Sequence, residues 1–444
     1  MTSSTSPLAP HRERPARLLP ATGTAVSVLA LCWTAVFFDG FDVMVYGAAL
    51  PYLLDDPEFG LDASGAGTVG SWTTFGMLLG ALGCGSLTDR LGRRPVLVGC
   101  VLAFSLGSGV CALAPGVPVF AAGRLLTGLG LGGLIPVCLA VVAEFTPARR
   151  VALATGILMS GYHAGGMAAT GLGLAVAPEY GWRWAFAAGV LPAVVAVPLI
   201  LRHLPESPTA LRVRGEHARA AATARRYGVP APTETPARTG TPAGRAAAVR
   251  RLVGPGWRWP TVLLWTASAC GLMLVYGVST WLPQLMRSSG YGVGSAVGLL
   301  MAVNAGGIVG MLIAGTVAVR FGPVAVSGTW FLLTAAALLL LAVRLPVPVT
   351  YALITVTGVW LYSASTMVYA VAGRLYPETL RAPGLGWVSG VGRLGAVFSP
   401  WLGGVLIASG REEWGFPAFA LAGVTGAVTV VLAAAAFRRT AARA

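Results

Sequence analysis

Two aspartates three residues apart, Asp39 and Asp42, stand in "FFDGFDVMVYG", inside an apolar run from about residue 25 to 54. In a helix that spacing puts both on one face, and Tyr46 continues the face at the next turn. A run this long is enough to cross a bilayer. The acids would then lie near mid-membrane, where an ionised carboxylate costs roughly 2.5–3.5 kcal/mol on insertion scales. A buried carboxyl pair that takes up a proton from one side and releases it to the other is a use that justifies such a cost. The competing use is to hold an arginine in place.

Two arginines are embedded in the same way. Arg124 opens the run "GRLLTGLGLGGLIP", with Gly128 and Gly132 at the small-xxx-small spacing that lets helices pack closely. It is expected to pair with Asp39 or Asp42. Arg393, in "GVGRLG", has Ser389, Gly390, Ala396 and Val397 on its own face, and the neighbouring apolar runs offer no acid. Its fork matches a carboxylate, and an anion leaving water for the midplane must meet a positive charge. Arg393 is thus the candidate anion ligand, with a structural ion pair as the alternative. The four histidines are scattered and the six cysteines fall in apolar runs without metal-ligand spacing. There is no nucleophile constellation, and the absence of lysine rules out a phosphate-binding GxxxxGK[ST] loop. Neither an enzyme nor a metal or cofactor is expected.

The elements that must hold these residues follow from composition. The chain of 444 residues is 55% hydrophobic and 11% charged, with a mean hydropathy of +0.74. That excludes an ordinary soluble domain and a disordered one. Twelve apolar spans can be marked, at about 25–54, 67–88, 95–114, 117–144, 151–177, 184–203, 259–285, 293–318, 325–343, 348–375, 383–409 and 414–437. The net charge of +15 is not a nucleic-acid signature, because 25 of the 31 arginines fall in alternate connections. The opposite connections hold Arg183, Arg287, Arg344 and Arg411 with most loop acids. By the positive-inside rule both termini are cytoplasmic. A polar, basic tail with a first span too long for an h-region argues against a cleaved signal peptide.

The predicted organisation is a tail at 1–24, six spans at 25–203, a linker at 204–258, six spans at 259–437 and a tail at 438–444. The linker is rich in Arg, Ala, Pro and Thr and has too few large apolar residues for a core, with an amphipathic helical piece around 208–227. The halves repeat at an offset of 230: "GSLTDRLG" falls on "GTVAVRFG", Pro147 on Pro377, Gly156 on Gly386, and "VYG" at 45–47 on "VYG" at 275–277. The fold expected is an all-α membrane protein of twelve transmembrane helices in two pseudo-symmetric six-helix bundles. Its binding site lies at midplane between them. The same offset puts Ala269 and Leu272 opposite the two aspartates, so the scaffold's second copy does without the acids.

"GSLTDRLGRRPVL" resembles the loop signature between helices 2 and 3 of the major facilitator superfamily, "LPESP" at 204–208 its motif after helix 6, and "GRLLTGLGLGGLIP" its helix 4 motif. More narrowly, "DGFD", "AEFTPARR" and "YPETLRAPGLGWVSGVGRLG" are similar to the aromatic acid/proton symporter branch. The resemblance implies that Asp39, Asp42 and Arg124 belong to a proton path. It also implies that Arg393 and its repeat partner His163 face each other across the pseudo-symmetry axis. Asp89 would cap helix 11 and pair with arginine when the cytoplasmic side is shut, which a helix dipole favours. Arg90, Arg93, Arg94, Glu144, Arg149, Arg150, Glu378 and Arg381 would join that gate. The second copy departs from the pattern, with Val319 in the acid's place and Pro323 where a basic residue is common, so closure would rest on the first copy alone.

Tyr46, Tyr276, Trp281, Trp360 and Tyr369 are candidates to stack a substrate ring, with core or interfacial packing as the alternative, and Gln284 and Asn304 to read ring hydroxyls. The expected activity is import of a small aromatic carboxylate with protons by alternating access. It would be driven by the proton gradient and carried out by a monomer in the plasma membrane. Carriage of another organic anion or a sugar-like metabolite, or efflux, is the alternative.

Overall fold

A computed structural model of the chain describes residues 22–147, 150–229 and 250–441, with the side chains of 22, 86, 152, 378, 379, 382, 440 and 441 excepted. Most of the N-terminal tail, Arg149 and residues 230–249 of the linker therefore lie outside the described residues. Of twelve long helices among the described residues, the first half holds α1 (Thr22–Leu54), α2 (Ala63–Leu91), α3 (Arg93–Ala112), α4 (Val117–Phe145), α5 (Val151–Tyr180) and α6 (Trp182–His203). The second half has α7 (Arg258–Ser288), α8 (Val293–Phe321), α9 (Pro323–Leu341), α10 (Val347–Leu375), α11 (Glu378–Ala408) and α12 (Gly415–Ala441). Ten of these are long and apolar enough to span a membrane. The other two, α2 and α5, are diluted by glycine and hydroxyl residues and are packed into the bundles. The expected amphipathic piece after α6 is two short helices, Pro208–Val213 and His217–Tyr227.

The duplication is visible in the backbone. The bounds of α8 and α10 fall 230 residues after those of α2 and α4. The tight α2–α3 and α8–α9 turns both rest on a glycine with positive φ, Gly92 at 98° and Gly322 at 83°, a conformation closed to most side chains. Within each copy the first helix packs on the fifth and the second on the fourth. A Cβ at Gly165 would collide with the α1 backbone at Phe37, and one at Gly395 with the α7 backbone at Ala269. These equivalent glycines set how near the fifth helix of each copy comes to the first.

The bundles meet through α2 against α11, α5 against α8 and α1 against α7. The touching residues lie toward one face. Gly67 meets Gly404, Gly47 meets the Ser279 carbonyl, and the Ser71 hydroxyl donates to the Val397 carbonyl at 2.7 Å. Arg287 closes the rim against Asp55 at 2.8 Å. On the opposite, arginine-rich face a Cβ built at Gly85, Gly156, Gly386 or Gly390 would meet nothing within 4 Å. The molecule is closed on the arginine-poor face and open on the other.

Candidate functional site between the bundles

Helix α1 sends its two aspartates to different neighbourhoods, although they share a face. Asp42 is buried inside the first bundle, where its carboxylate accepts from the Ser108 hydroxyl of α3 at 2.5 Å. Arg124 of α4 lies 3.9 Å from the same oxygen, donates to the Asp42 carbonyl at 3.5 Å and to the Thr73 hydroxyl of α2 at 2.9 Å. Its guanidinium stands 5.1 Å from the centre of the Tyr46 ring. The arrangement is a buried cation held by a weak ion pair, two hydrogen bonds and a ring face. Helix α6 breaks into a 3-10 turn at Ala188–Val190 beside it. There Gly189 lies so near Ser108 that a Cβ would press on the serine at 2.7 Å. A lone serine in an apolar span carries no signal in sequence, and Ser108, Thr73 and Gly189 were not legible there.

Asp39 is fully buried, and neither carboxylate oxygen has a hydrogen-bond partner among the described residues. Arg393, half-buried on α11, acts on it electrostatically from the other bundle and makes no ion pair within 4 Å with a described residue. As expected, the neighbouring spans of its own half offer Arg393 no acid; the acid it acts on belongs to the other bundle. Tyr276 of α7 lies within electrostatic reach of both Arg393 and Asp39, and of Tyr369 and Tyr362 of α10. Tyr162 of α5 completes the group and reaches Asp39. Phenol groups from both bundles thus surround one carboxyl and one guanidinium. Tyr162 and Tyr362 are the members that sequence reasoning missed, because single tyrosines in apolar spans read as packing.

His163 faces the second bundle, as its repeat partner Arg393 faces the first. Its Nδ1 lies 3.1 Å from the Asn304 side-chain oxygen of α8, whose amide donates to the Leu300 carbonyl at 2.8 Å. The other ring nitrogen is buried and unpartnered among the described residues, and the ring packs edge-on against Tyr362 at 4.5 Å. The remaining aromatics divide. Trp360 and Tyr369 are half-buried on α10. Tyr46 is buried in the first bundle, with its hydroxyl given to the Ala66 carbonyl at 2.6 Å, and Trp281 is buried with its ring nitrogen given to the Pro400 carbonyl at 2.9 Å. Both therefore act as packing anchors, the core alternative. Gln284, three residues before Arg287, carries a buried oxygen without a partner among the described residues.

The expected gate residues separate as well. Glu144 pairs with Arg93 at 2.5 Å and accepts from the Ser207 hydroxyl at 2.5 Å. Glu206 accepts from the backbone N–H groups of Arg93, Arg94 and Ser207 at 2.9, 3.3 and 2.9 Å, at the start of α3, where the helix dipole favours a negative charge. The Arg94 guanidinium donates to the Leu201 carbonyl. This network ties α3, α4 and the segment after α6 inside one bundle. It includes Glu206 and Ser207 of the "LPESP" motif, which sequence reasoning quoted without assigning them a role. Asp89, Arg90, Arg150 and Arg381 are exposed on the open face, and Asp89 pairs with no described residue. Glu378 opens α11 on that face, its side chain outside the described set.

Among the described residues no cluster of three metal-ligating side chains occurs. The chain is similar, at 33% identity over 88% of its length and 83% of the relative's, to a gentisate transporter of Corynebacterium glutamicum. It is 32% identical to a benzoate transport protein of Acinetobacter baylyi over 91% of the chain and 88% of the relative. With a 4-hydroxybenzoate transporter of Pseudomonas putida it shares 33% identity over 88% and 87%. Its fold matches the inward-open xylose transporter XylE from E. coli with a TM-score of 0.74 at 17% identity, covering 92% of this chain and 96% of that one. The Major Facilitator Superfamily model matches residues 32–343 and 294–444. With two duplicated six-helix bundles closed on one face around a charged interface, the chain belongs to the major facilitator superfamily and is a membrane transporter rather than an enzyme.

Proposed function

We propose that the protein imports a small aromatic carboxylate together with protons by alternating access. The carrying observation is that Asp39 and Arg393 lie within electrostatic reach of each other across the bundle interface, neither with a hydrogen-bonded or ion-paired partner among the described residues. An empty site holding an ionised Asp39 and Arg393 is neutral. A substrate carboxylate that takes the guanidinium leaves Asp39 as an uncompensated buried charge, which is costly until the acid binds a proton. Substrate anion and proton therefore enter together, and neutrality is kept. The surrounding tyrosines supply ring faces and hydroxyls for an aromatic acid, and relatives about one-third identical carry gentisate, benzoate and 4-hydroxybenzoate by name.

In this reading the arginine-rich face is cytoplasmic, the membrane is the plasma membrane, and the state described is open inward. Each chain contains both halves of the site and works as a monomer, without a cofactor, on the proton gradient. Asp42 with Arg124 and Ser108 forms a second proton station behind Asp39.

Counterflow of labelled benzoates in proteoliposomes tests the substrate class, and Asp39→Asn tests the coupling. Wild-type affinity should fall as pH rises and Asp39 ionises against the incoming anion. Asp39→Asn should bind with little pH dependence and exchange substrate, yet fail to accumulate it uphill. Full uphill accumulation by Asp39→Asn, and by Asp42→Asn as well, would sink the coupling scheme.

A further inference from the structure

The arginine-rich face carries a second built feature, away from the interface between the bundles. Between the start of α7 and the end of α12 runs a groove of about 840 Å3 whose lining includes Trp257, Arg258, Trp259, Leu263, Leu432 and Arg439. Its floor is fixed. The Trp257 ring packs on Phe437 at 5.4 Å, Phe437 on Tyr376 at 5.2 Å, and the Tyr376 hydroxyl meets that of Thr261 at 3.1 Å.

The two guanidiniums at the groove are exposed and make no ion pair with a described residue. Arg258 lies 5.6 Å from the centre of the Trp259 ring, which is itself 64% exposed. The sequence contains no Asp or Glu from Arg250 to Pro377 and none after Glu413, so no acid of α7 or α12 opposes these charges. Arg250, Arg251 and Arg438, close to them in sequence, are exposed as well. Further along the two helices toward mid-membrane, Val262, Val428, Val431 and Leu432 are all exposed.

The order from rim to midplane is guanidinium, indole, aliphatic wall. That is the order of a phospholipid from phosphate through interface to acyl chain. We propose that this groove binds an anionic membrane phospholipid, its phosphate between Arg258 and Arg439 and one acyl chain along the aliphatic wall. The absence of a carboxylate disfavours zwitterionic lipids, whose ammonium would sit against arginines with no acid to receive it. The purpose is served on this face because α7 and α12 belong to the second bundle, and a lipid held there anchors that bundle while the first moves.

The test is native mass spectrometry of the purified full chain titrated with phosphatidylglycerol or phosphatidylcholine, with thermal stability followed in parallel. Wild type should retain phosphatidylglycerol over phosphatidylcholine and gain stability from it. At about 1 kcal/mol per arginine near a charged surface, Arg258→Gln with Arg439→Gln should lower that affinity by roughly 30-fold. Arg320→Gln, an exposed arginine of α8 on the same face, should leave it unchanged. Equal retention of the two lipids, or equal loss in the Arg320→Gln control, would overturn the site. Stabilisation by glycerol phosphate equal to that by phosphatidylglycerol would overturn the lipid assignment, since the acyl wall would then contribute nothing. Because Trp259→Ala removes the exposed ring without touching charge, partial loss there supports the groove, and no loss argues against it.

Discussion

Arg393 makes no ion pair with a described residue, and its chemistry can be separated from its charge. Arg393→Lys keeps the charge and loses the bidentate geometry, so substrate affinity should fall. Arg393→Ala should fall further, by about 1.5–3 kcal/mol, the usual worth of a hydrogen bond to a charged group. Substrate-induced fluorescence quenching on purified protein reads both, and wild-type binding by Arg393→Ala would move the anion site to Arg124. The buried station offers a second residue-scale expectation. Ser108→Ala removes the hydroxyl that donates to Asp42 at 2.5 Å and leaves that carboxylate oxygen with only the 3.9 Å ion pair to Arg124. Transport should slow while substrate affinity holds, because Ser108 lies behind the interface. A weakened affinity with an unchanged rate would place it among the substrate contacts instead.

At the scale of elements, the fifth helix of each copy carries an equivalent glycine, Gly165 or Gly395, that lets it sit against the backbone of the first. A side chain at Gly395 meets backbone, which cannot rotate away, so Gly395→Val should cost about 1–3 kcal/mol as overpacking does. It should also displace Arg393 two residues earlier. Reduced thermal stability together with lost substrate binding is the expected result, and an unperturbed variant would mean that α7 and α11 slide freely. The turn after α1 is held differently. Asp56 accepts from the Trp182 indole at 2.9 Å and from the Glu58 and Phe59 backbone N–H groups, with Arg183 at 3.6 Å. The indole bond first, then those backbone donors and the arginine, hold its carboxyl below the usual value despite some burial. A carboxyl held low when folded binds fewer protons than it does unfolded. Its contribution is present above the ordinary carboxylate range, near pH 4, and is lost as pH falls through the folded value. Thermal melts of wild type should therefore weaken as pH drops below about 4, and Asp56→Asn should be less stable at neutral pH and lose part of that acid sensitivity. Parallel acid profiles for the two proteins would contradict this.

Among the described residues, the molecule is closed on one face by small residues and one partly exposed ion pair, Asp55 with Arg287. Exposed pairs are worth about 0–1 kcal/mol. Arg287→Ala should thus shift the balance between inward-open and outward-open states by no more than about fivefold, read as maleimide labelling of a cysteine placed at Gly386 on the open face. A much larger shift would show that the pair, and not the Gly67–Gly404 packing, holds that face shut.

Hydropathy runs long enough to span a bilayer, arginines in alternate loops and a repeat at a fixed offset determined the membrane class, the helix count and the duplication, because each is a property of order along the chain. The embedded charges were legible for the same reason: nothing in a lipid-facing span explains Asp39, Asp42, Arg124 or Arg393. Only the tertiary structure decided which of them meet. Two aspartates on one helix face can still answer to different helices, and here α3 and α4 claim Asp42 while α11 reaches Asp39 from the other bundle. It also withdrew Tyr46 and Trp281 into packing roles, since a spacing reveals a helix face, whereas the partner of that face depends on how twelve helices are seated together.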